Sequence, residues 1–303
     1  MENLNPRTVN ELFVQKLDTE HEKVAAETAA FIRTKLREVS FARKIINPQY
    51  VTKADLQRSV NHDQLVKVID IEPDSSAMMI NLRGNPDVRY VEGKRAEMQF
   101  FNISSEEFQK TEEELLAYEM PVTEVIERNS IKDIQKIEDT AFMTGVNAAI
   151  TVSGKSTTYA VTTSGTIEIA AFVRLFNTLE GSSTGVNPLK TDMVLMNLAD
   201  FNKFLALPAT TIGSGVAGEQ YVNGYKYDTL LGKKLIVTNK GDLVPEKTIY
   251  AFTSQEFLGK FFILNDTKFW VEKKRNLIKW SAYETISQGI LNNLACAKLT
   301  LTP

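Results

Sequence analysis

The chain of 303 residues has one cysteine, Cys296, and only two histidines, His21 and His62. A single cysteine excludes an intrachain disulfide framework and fits a reducing compartment. Two histidines with one cysteine cannot assemble a zinc-type ligand set, and no loop has the acidic spacing of a calcium hand. No apolar run approaches the roughly 18 residues of a membrane span. The opening MENLNPRTVNEL lacks the basic-then-apolar order of a secretory signal. Neither charge sign dominates, the formal net charge being −3 with 24% charged residues, so no global basic field exists to hold nucleic acid. The expectation is a soluble, intracellularly made protein, long enough for one large domain or two ordinary ones.

Catalytic signals are equally sparse. The serines and threonines have no histidine–carboxylate partner set, because both histidines lie near the N-terminal end. His21 falls in a helical pattern and His62 in a polar loop, which reads as surface for both. Cys296, in the apolar LACAKL, reads as a small core residue. Gly154-Lys155-Ser156 has the ending of a phosphate loop. Ala149 stands where the earlier glycine is needed, and a helix precedes it, so that reading is rejected. Glu138 and Asp139 are adjacent and point apart on a helix. No catalytic, cofactor-binding or metal residue is expected, and no cofactor.

What the chain does have is periodicity. The stretch 121–150 carries Ile131, Ile134, Ile137, Ala141 and Phe142 at helical spacing, with Lys132, Asp133, Lys136, Glu138 and Asp139 mostly on the other side. Ser130 with Asp133 reads as a capping box that starts this helix. Before it, Thr8 and Glu11 form a second capping box. Val9, Leu12, Phe13, Leu17, Val24, Phe31, Ile32, Leu36 and Val39 then recur at near-helical spacing until Asn47-Pro48. One long helix, or two with a bend near His21, would present a single apolar stripe that needs a partner surface.

From residue 61 to 103 the pattern turns to strands, LVKVIDI at 65–71 and AMMINL at 77–82. A turn cluster follows at 83–87, and 88–103 then alternates with Arg89, Glu92, Lys94 and Arg95 in its middle. This is a long hairpin, and an isolated hairpin is marginal in water, so it should lie on something. The acidic run at 106–114 reads as a solvated face. Further on, helices are expected at 167–179 and from Asn197, a glycine-rich loop at 209–225, and strands at 192–197, 230–238, 248–252, 257–264, 268–273 and 293–301. Lys273-Lys274-Arg275, with Trp270 and Trp280 nearby, reads as a solvated corner rather than a stacking platform for single strands.

The order of these parts resembles the major capsid proteins of tailed phages, the Hong Kong 97-type fold shared with encapsulin shells. Tyr90-Val91-Glu92-Gly93 looks like the aromatic-x-Glu-Gly segment of that family's extended loop. Pro121-Val122-Thr123-Glu124 leading to Ile137-Glu138-Asp139-Thr140-Ala141-Phe142-Met143-Thr144-Gly145 is similar to its long spine helix. Val194-Leu195-Met196-Asn197 looks like the step into its axial domain, and Leu231-Gly232-Lys233-Lys234-Leu235 like a later strand start. Each motif is degenerate; their order carries the likeness, over residues 50–301.

The resemblance implies an α+β chain. Its parts would be an N-terminal helical arm (1–50), an extended β-hairpin loop with its base (51–110), a peripheral domain with the spine helix (111–191), an axial domain (192–252) and return strands (253–303). It implies a non-catalytic shell protein that self-assembles through hexamers and pentamers into an icosahedral head around double-stranded DNA. That is a virion location with assembly in the host cytoplasm, a scaffolding or decoration protein as further partner, and no membrane. An encapsulin-type compartment is the alternative within the fold, and a soluble α+β enzyme or binding protein the alternative outside it. The expected subunit interface comprises Met78, Met79, Arg83, Arg89, Glu92, Lys94, Arg95, Met98 and Phe100. The apolar members, with Phe101, are expected to lack cover within the chain, and the charges to pair between subunits. Only the arm precedes the loop, which points to separate scaffolding or scaffolding by the arm. Lys94 has no placeable asparagine partner, so no covalent cross-link is expected.

Overall fold

The computed structural model describes residues 40–58, 64–71, 79–85, 88, 90, 93–117, 122–161, 167–181, 189–205 and 229–302. The expected arm helix over 9–39 and the glycine-rich loop at 209–225 lie outside them. The described chain begins with a short helix, α1 (Phe41–Ile45), which stops just before Asn47-Pro48. The short strands β1 (Gln49–Tyr50) and β2 (Gln57–Arg58) follow.

The longest described helix has 32 residues, Val122–Ser153, and is about 48 Å long. Short helix α2 (Glu112–Ala117) precedes it, making the long one α3. Its buried side includes Ile134, Phe142, Met143, Val146 and Ile150, while Lys132, Asp133 and Lys136 face water. Ser130 is not its start. It lies inside the helix and is fully buried, and Val122 and Ile126 continue the buried stripe upstream of it. Burial of that extra stripe outweighs a local capping signal worth about 1 kcal/mol.

Two sheets flank α3. One has the order β1-β12-β13-β5, with β6 also on β13. Here β5 is Phe101–Ser104, β6 Phe108–Thr111, β12 Gly259–Lys274 and β13 Leu277–Ile290. From β13, Ile278, Trp280, Ala282 and Ile286 project into the same core as α3. The expected breaks at 264–268 are register shifts within one long strand, which bend it without ending it. The whole of β13 was absent from the expected strands, although its apolar residues alternate.

The other sheet runs β7-β14-β11-β8-β10-β9. These are β7 Ser156–Ala160, β8 Thr191–Asn197, β9 Thr229–Leu230, β10 Lys233–Thr238, β11 Thr248–Thr253 and β14 Cys296–Thr302. It draws on a wider span of the chain than 192–252. Met193 and Leu195 share the core of α3, whereas Val194 and Met196 face a second core with helix α4 (Ile169–Glu180) and α5 (Leu198–Leu205). A strand covered on both faces needs apolar residues at every step, which is why the run Met193-Val194-Leu195-Met196 is unbroken. At the exit of α4, Gly181 has φ −71°, and a Cβ there would sit 2.6 Å from the Asn177 carbonyl oxygen. Close approach, not left-handed backbone, requires this glycine. A last short helix, α6 (Gln255–Leu258), leads into β12.

The third sheet, β2-β3-β4, is the hairpin. β3 (Leu65–Ile71) pairs antiparallel with β4 (Lys94–Gln99), Val66 opposite Gln99 and Ile71 opposite Lys94. The expected strand at 77–82 is not formed in its described part, since residues 79–81 carry no regular structure and 82–83 make a turn.

Candidate assembly surfaces

The far end of the hairpin is where apolar side chains are left uncovered. Met79, Leu82, Val88 and Tyr90 are 103%, 108%, 90% and 88% exposed, and Ile71 and Ile80 are also open. No ordinary soluble surface concentrates so many within so short a stretch. Arg83 and Lys94 are exposed beside them. Met78, Arg89 and Glu92 lie outside the described residues.

At the hairpin's base the expectation fails. Met98 is only 6% exposed and packs with Val51 and Phe262, with Phe100 partly buried against the same cluster. β4 leaves the hairpin directly above β12 and β13, so its inward residues are covered by their own chain; Gly289 gives the Met98 methyl its space. Phe101 stays largely exposed. Arg95 is also engaged within the chain. The register that puts it opposite Asp70 brings Nε to within 3.1 Å of the carboxylate. The acidic run is likewise drawn onto the long β12–β13 hairpin: Lys279 reaches Glu107 at 2.5 Å and Lys273 reaches Glu112 at 3.2 Å.

The structure also brings together a group that no sequence spacing indicates. Arg43 from α1 donates from Nη2 to Glu138 of α3 at 2.5 Å and to Glu284 of β13 at 2.6 Å, and its Nε lies 3.1 Å from the second oxygen of Glu138. All three side chains are sealed from water. Thr267 donates to the other oxygen of Glu284 at 3.1 Å, and the guanidinium lies over the Phe261 ring. One residue along α3, Asp139 accepts from the Ser40 hydroxyl at 2.9 Å, the Ala42 amide at 3.1 Å and Lys240 Nζ at 2.5 Å. Residues 40–43, where the arm joins the body, are thus fixed by buried charge.

Burial pushes both glutamates up, Glu284 to about 7 with the Glu138 charge adding to the effect. For Arg43, burial opposes the charge, but hydrogen bonds and attraction from the two glutamates outweigh it and hold the guanidinium protonated. Arg43, Glu138 and Glu284 could have been singled out only by asking which charged residues sit at otherwise apolar positions of a periodic stripe.

The remaining chemical candidates have structural employment. Lys155 is buried, its Nζ donating to the Leu179 and Leu294 carbonyls at 2.7 Å each. Its ammonium therefore ties α4 to the last turn and reaches no phosphate. Cys296 is buried and its thiol is pushed up to about 12 by that burial, far from a reactive thiolate. Trp280 is in the core, and Trp270 stacks on Tyr283 at 6.3 Å between ring centres. Among the described residues no cluster of histidine, cysteine or acidic side chains could hold a metal ion. No described helix is long and apolar enough to cross a membrane.

No family sequence model matches the chain, and no curated protein does. Solved structures do. The capsid of Myoviridae phage XM1 is similar at 14% identity and TM-score 0.52, over 85% of this chain and 89% of that one. The mature capsid of bacteriophage PhiM1 is similar at 9% identity and TM-score 0.56, over 84% and 86%. A virus-like particle from Pyrococcus furiosus is similar at 14% identity and TM-score 0.52, over 90% and 98%. Over 84–85% of its length the chain has the α+β fold of these phage capsid subunits.

Proposed function

We propose that this protein is a shell subunit, the major capsid protein of a tailed phage, which closes an icosahedral head around double-stranded DNA. The observation that carries the reading is the hairpin. Met79, Leu82, Val88 and Tyr90 are more exposed than any other large apolar side chain described, and closed shells hide such strips by repeating one heterologous contact. Likeness to structures from assembled capsids supports self-assembly into multimers. In this reading Met79, Arg83 and Lys94 meet a neighbouring subunit, with Met78, Arg89 and Glu92 in the same role. Arrangement as hexamers and pentamers, a virion location, cytoplasmic assembly and a scaffolding or decoration partner belong to the same proposal.

The division into arm, loop, peripheral, axial and return segments is part of it too. The role is structural rather than enzymatic. Near-neutral charge suits a wall that leaves packaged DNA to counterions. Likeness to the Pyrococcus particle keeps a protein compartment as the second reading. Purified particles separate the two: nuclease-resistant double-stranded DNA supports the phage head, whereas protein-filled, DNA-free shells support the compartment. A soluble monomer with a radius of gyration of about 19 Å, as for a compact globule of this length, would count against both.

A further inference from the structure

The charges buried around Arg43 do not balance. Arg43 is sealed in with two carboxylates, Glu138 and Glu284, and all three side chains are shut off from water. With both acids ionised, the site would hold an unpaired negative charge in an apolar core, a costly state. One proton on the pair removes it. The hydrogen bonds indicate where that proton sits. Glu138 takes Arg43 Nε and Nη2 on its two oxygens, at 3.1 and 2.5 Å, the forked geometry of an ionised carboxylate. Glu284 has only Nη2, at 2.6 Å, and its other oxygen faces the Thr267 hydroxyl at 3.1 Å. A hydroxyl can accept from an acid as readily as it donates to an anion. The other charges at this junction, Asp139 of α3 and Lys240 from the turn after β10, pair with each other and cancel. On β5 the residue opposite Glu284 is the uncharged Ile103.

We propose that this cluster is a proton-operated latch on α1. With a proton on Glu284 it moors the turn at Arg43 to α3 and β13; when the proton leaves, that turn comes free while α3 and β13 stay folded. Three observations make α1 the part that yields. It has five residues, against 32 in α3 and 14 in a β13 that is hydrogen-bonded along both edges. Both carboxylates share the single atom Arg43 Nη2, so ionising the second acid sets the two against each other across it. Arg43 Nη1 is buried with no hydrogen-bond partner among the described residues, so the network is only partly satisfied before any charge is added. Lys240 balances Asp139, so Ser40 and the Ala42 amide keep their bonds to it. Burial, with the Glu138 charge second, raises Glu284 from 4.5 to about 7, so the latch is closed at low pH and opens as pH rises through about 7. The latch concerns one chain and stands or falls apart from the shell reading.

The test is hydrogen exchange on the full-length chain between about pH 5 and about pH 8.5, corrected for the intrinsic rate. Amides of residues 43–46 should lose about tenfold or more of their protection over that range, and end at least about tenfold below residues 142–150 of α3. Glu284→Gln and Glu138→Gln each leave one anion for one cation, so in either variant the protection should hold across the range. Glu138→Gln keeps the Glu284 carboxyl in place, which separates charge balance from the loss of that side chain. Protection of 43–46 that stays flat with pH in the unaltered chain overturns the proposal. A fall shared equally by residues 142–150 overturns it too, because the titration would then belong to global unfolding. So does a fall that persists in either glutamine variant. Should neither variant fold, the comparison of the two segments in the unaltered chain still decides.

Discussion

In the body of the molecule Arg43 meets Glu138 and Glu284 with every side chain closed off from water, whereas in the hairpin Arg95 meets Asp70 with both largely in it. The same charge types therefore have opposite energetic standing. Removing one partner from the buried cluster strands an uncompensated charge, while the exposed pair gains little over its hydration. The two regions differ in the same way in apolar cover. The sheet of β8 is lined by helices on both faces, and the hairpin rests on one small cluster at its base and bares its far end. One region is complete within a single chain. The other is built as though part of its surroundings were still to arrive.

That contrast can be broken at four points. Arg43→Met leaves two buried carboxylates facing each other and should lower subunit stability by about 3–5 kcal/mol in urea unfolding. A loss under about 1 kcal/mol would mean the cluster is open to water. Next comes pH. Burial raises Glu284 to about 7 from an ordinary 4.5, so the folded chain holds a proton that the unfolded chain releases. Its contribution is full below about 4.5 and fades as pH rises through about 7. Between those limits stability should drop by about 1–3 kcal/mol, and Glu284→Gln should flatten the slope.

In the hairpin, replacing Met79, Leu82 and Tyr90 together with serine should leave unfolding within about 0.5 kcal/mol of the original. It should also raise the concentration needed for assembly about tenfold or more; an equal shift in stability would show that these side chains have intrachain cover. Asp70→Asn should be the mildest, changing stability by less than about 1 kcal/mol, because both charges stay hydrated.

Much of this division was legible in the residues. The unbroken apolar run of β8, the alternation in β3 and β4, and the stripe of α3 each follow from burial on one side or two. The start of α3 was legible through the resemblance, which opens at Pro121-Val122, but not from the residues alone, because Ser130 and Asp133 offer a local start signal that only tertiary cover of Val122 and Ile126 overrules. The run 77–82 looked like a strand because apolar residues cluster there, yet its described residues form no strand. β13 was hidden by Glu284, which interrupts its apolar face for a reason visible only in three dimensions. Arg43 lies 95 residues from Glu138 and 241 from Glu284, so no spacing rule could join them.

Electron microscopy of the purified full-length chain puts the incomplete-hairpin claim to its most direct test. The expected result is closed particles in which residues 79–90 lie against an adjacent subunit. Discrete single molecules with that segment packed on their own body would contradict it.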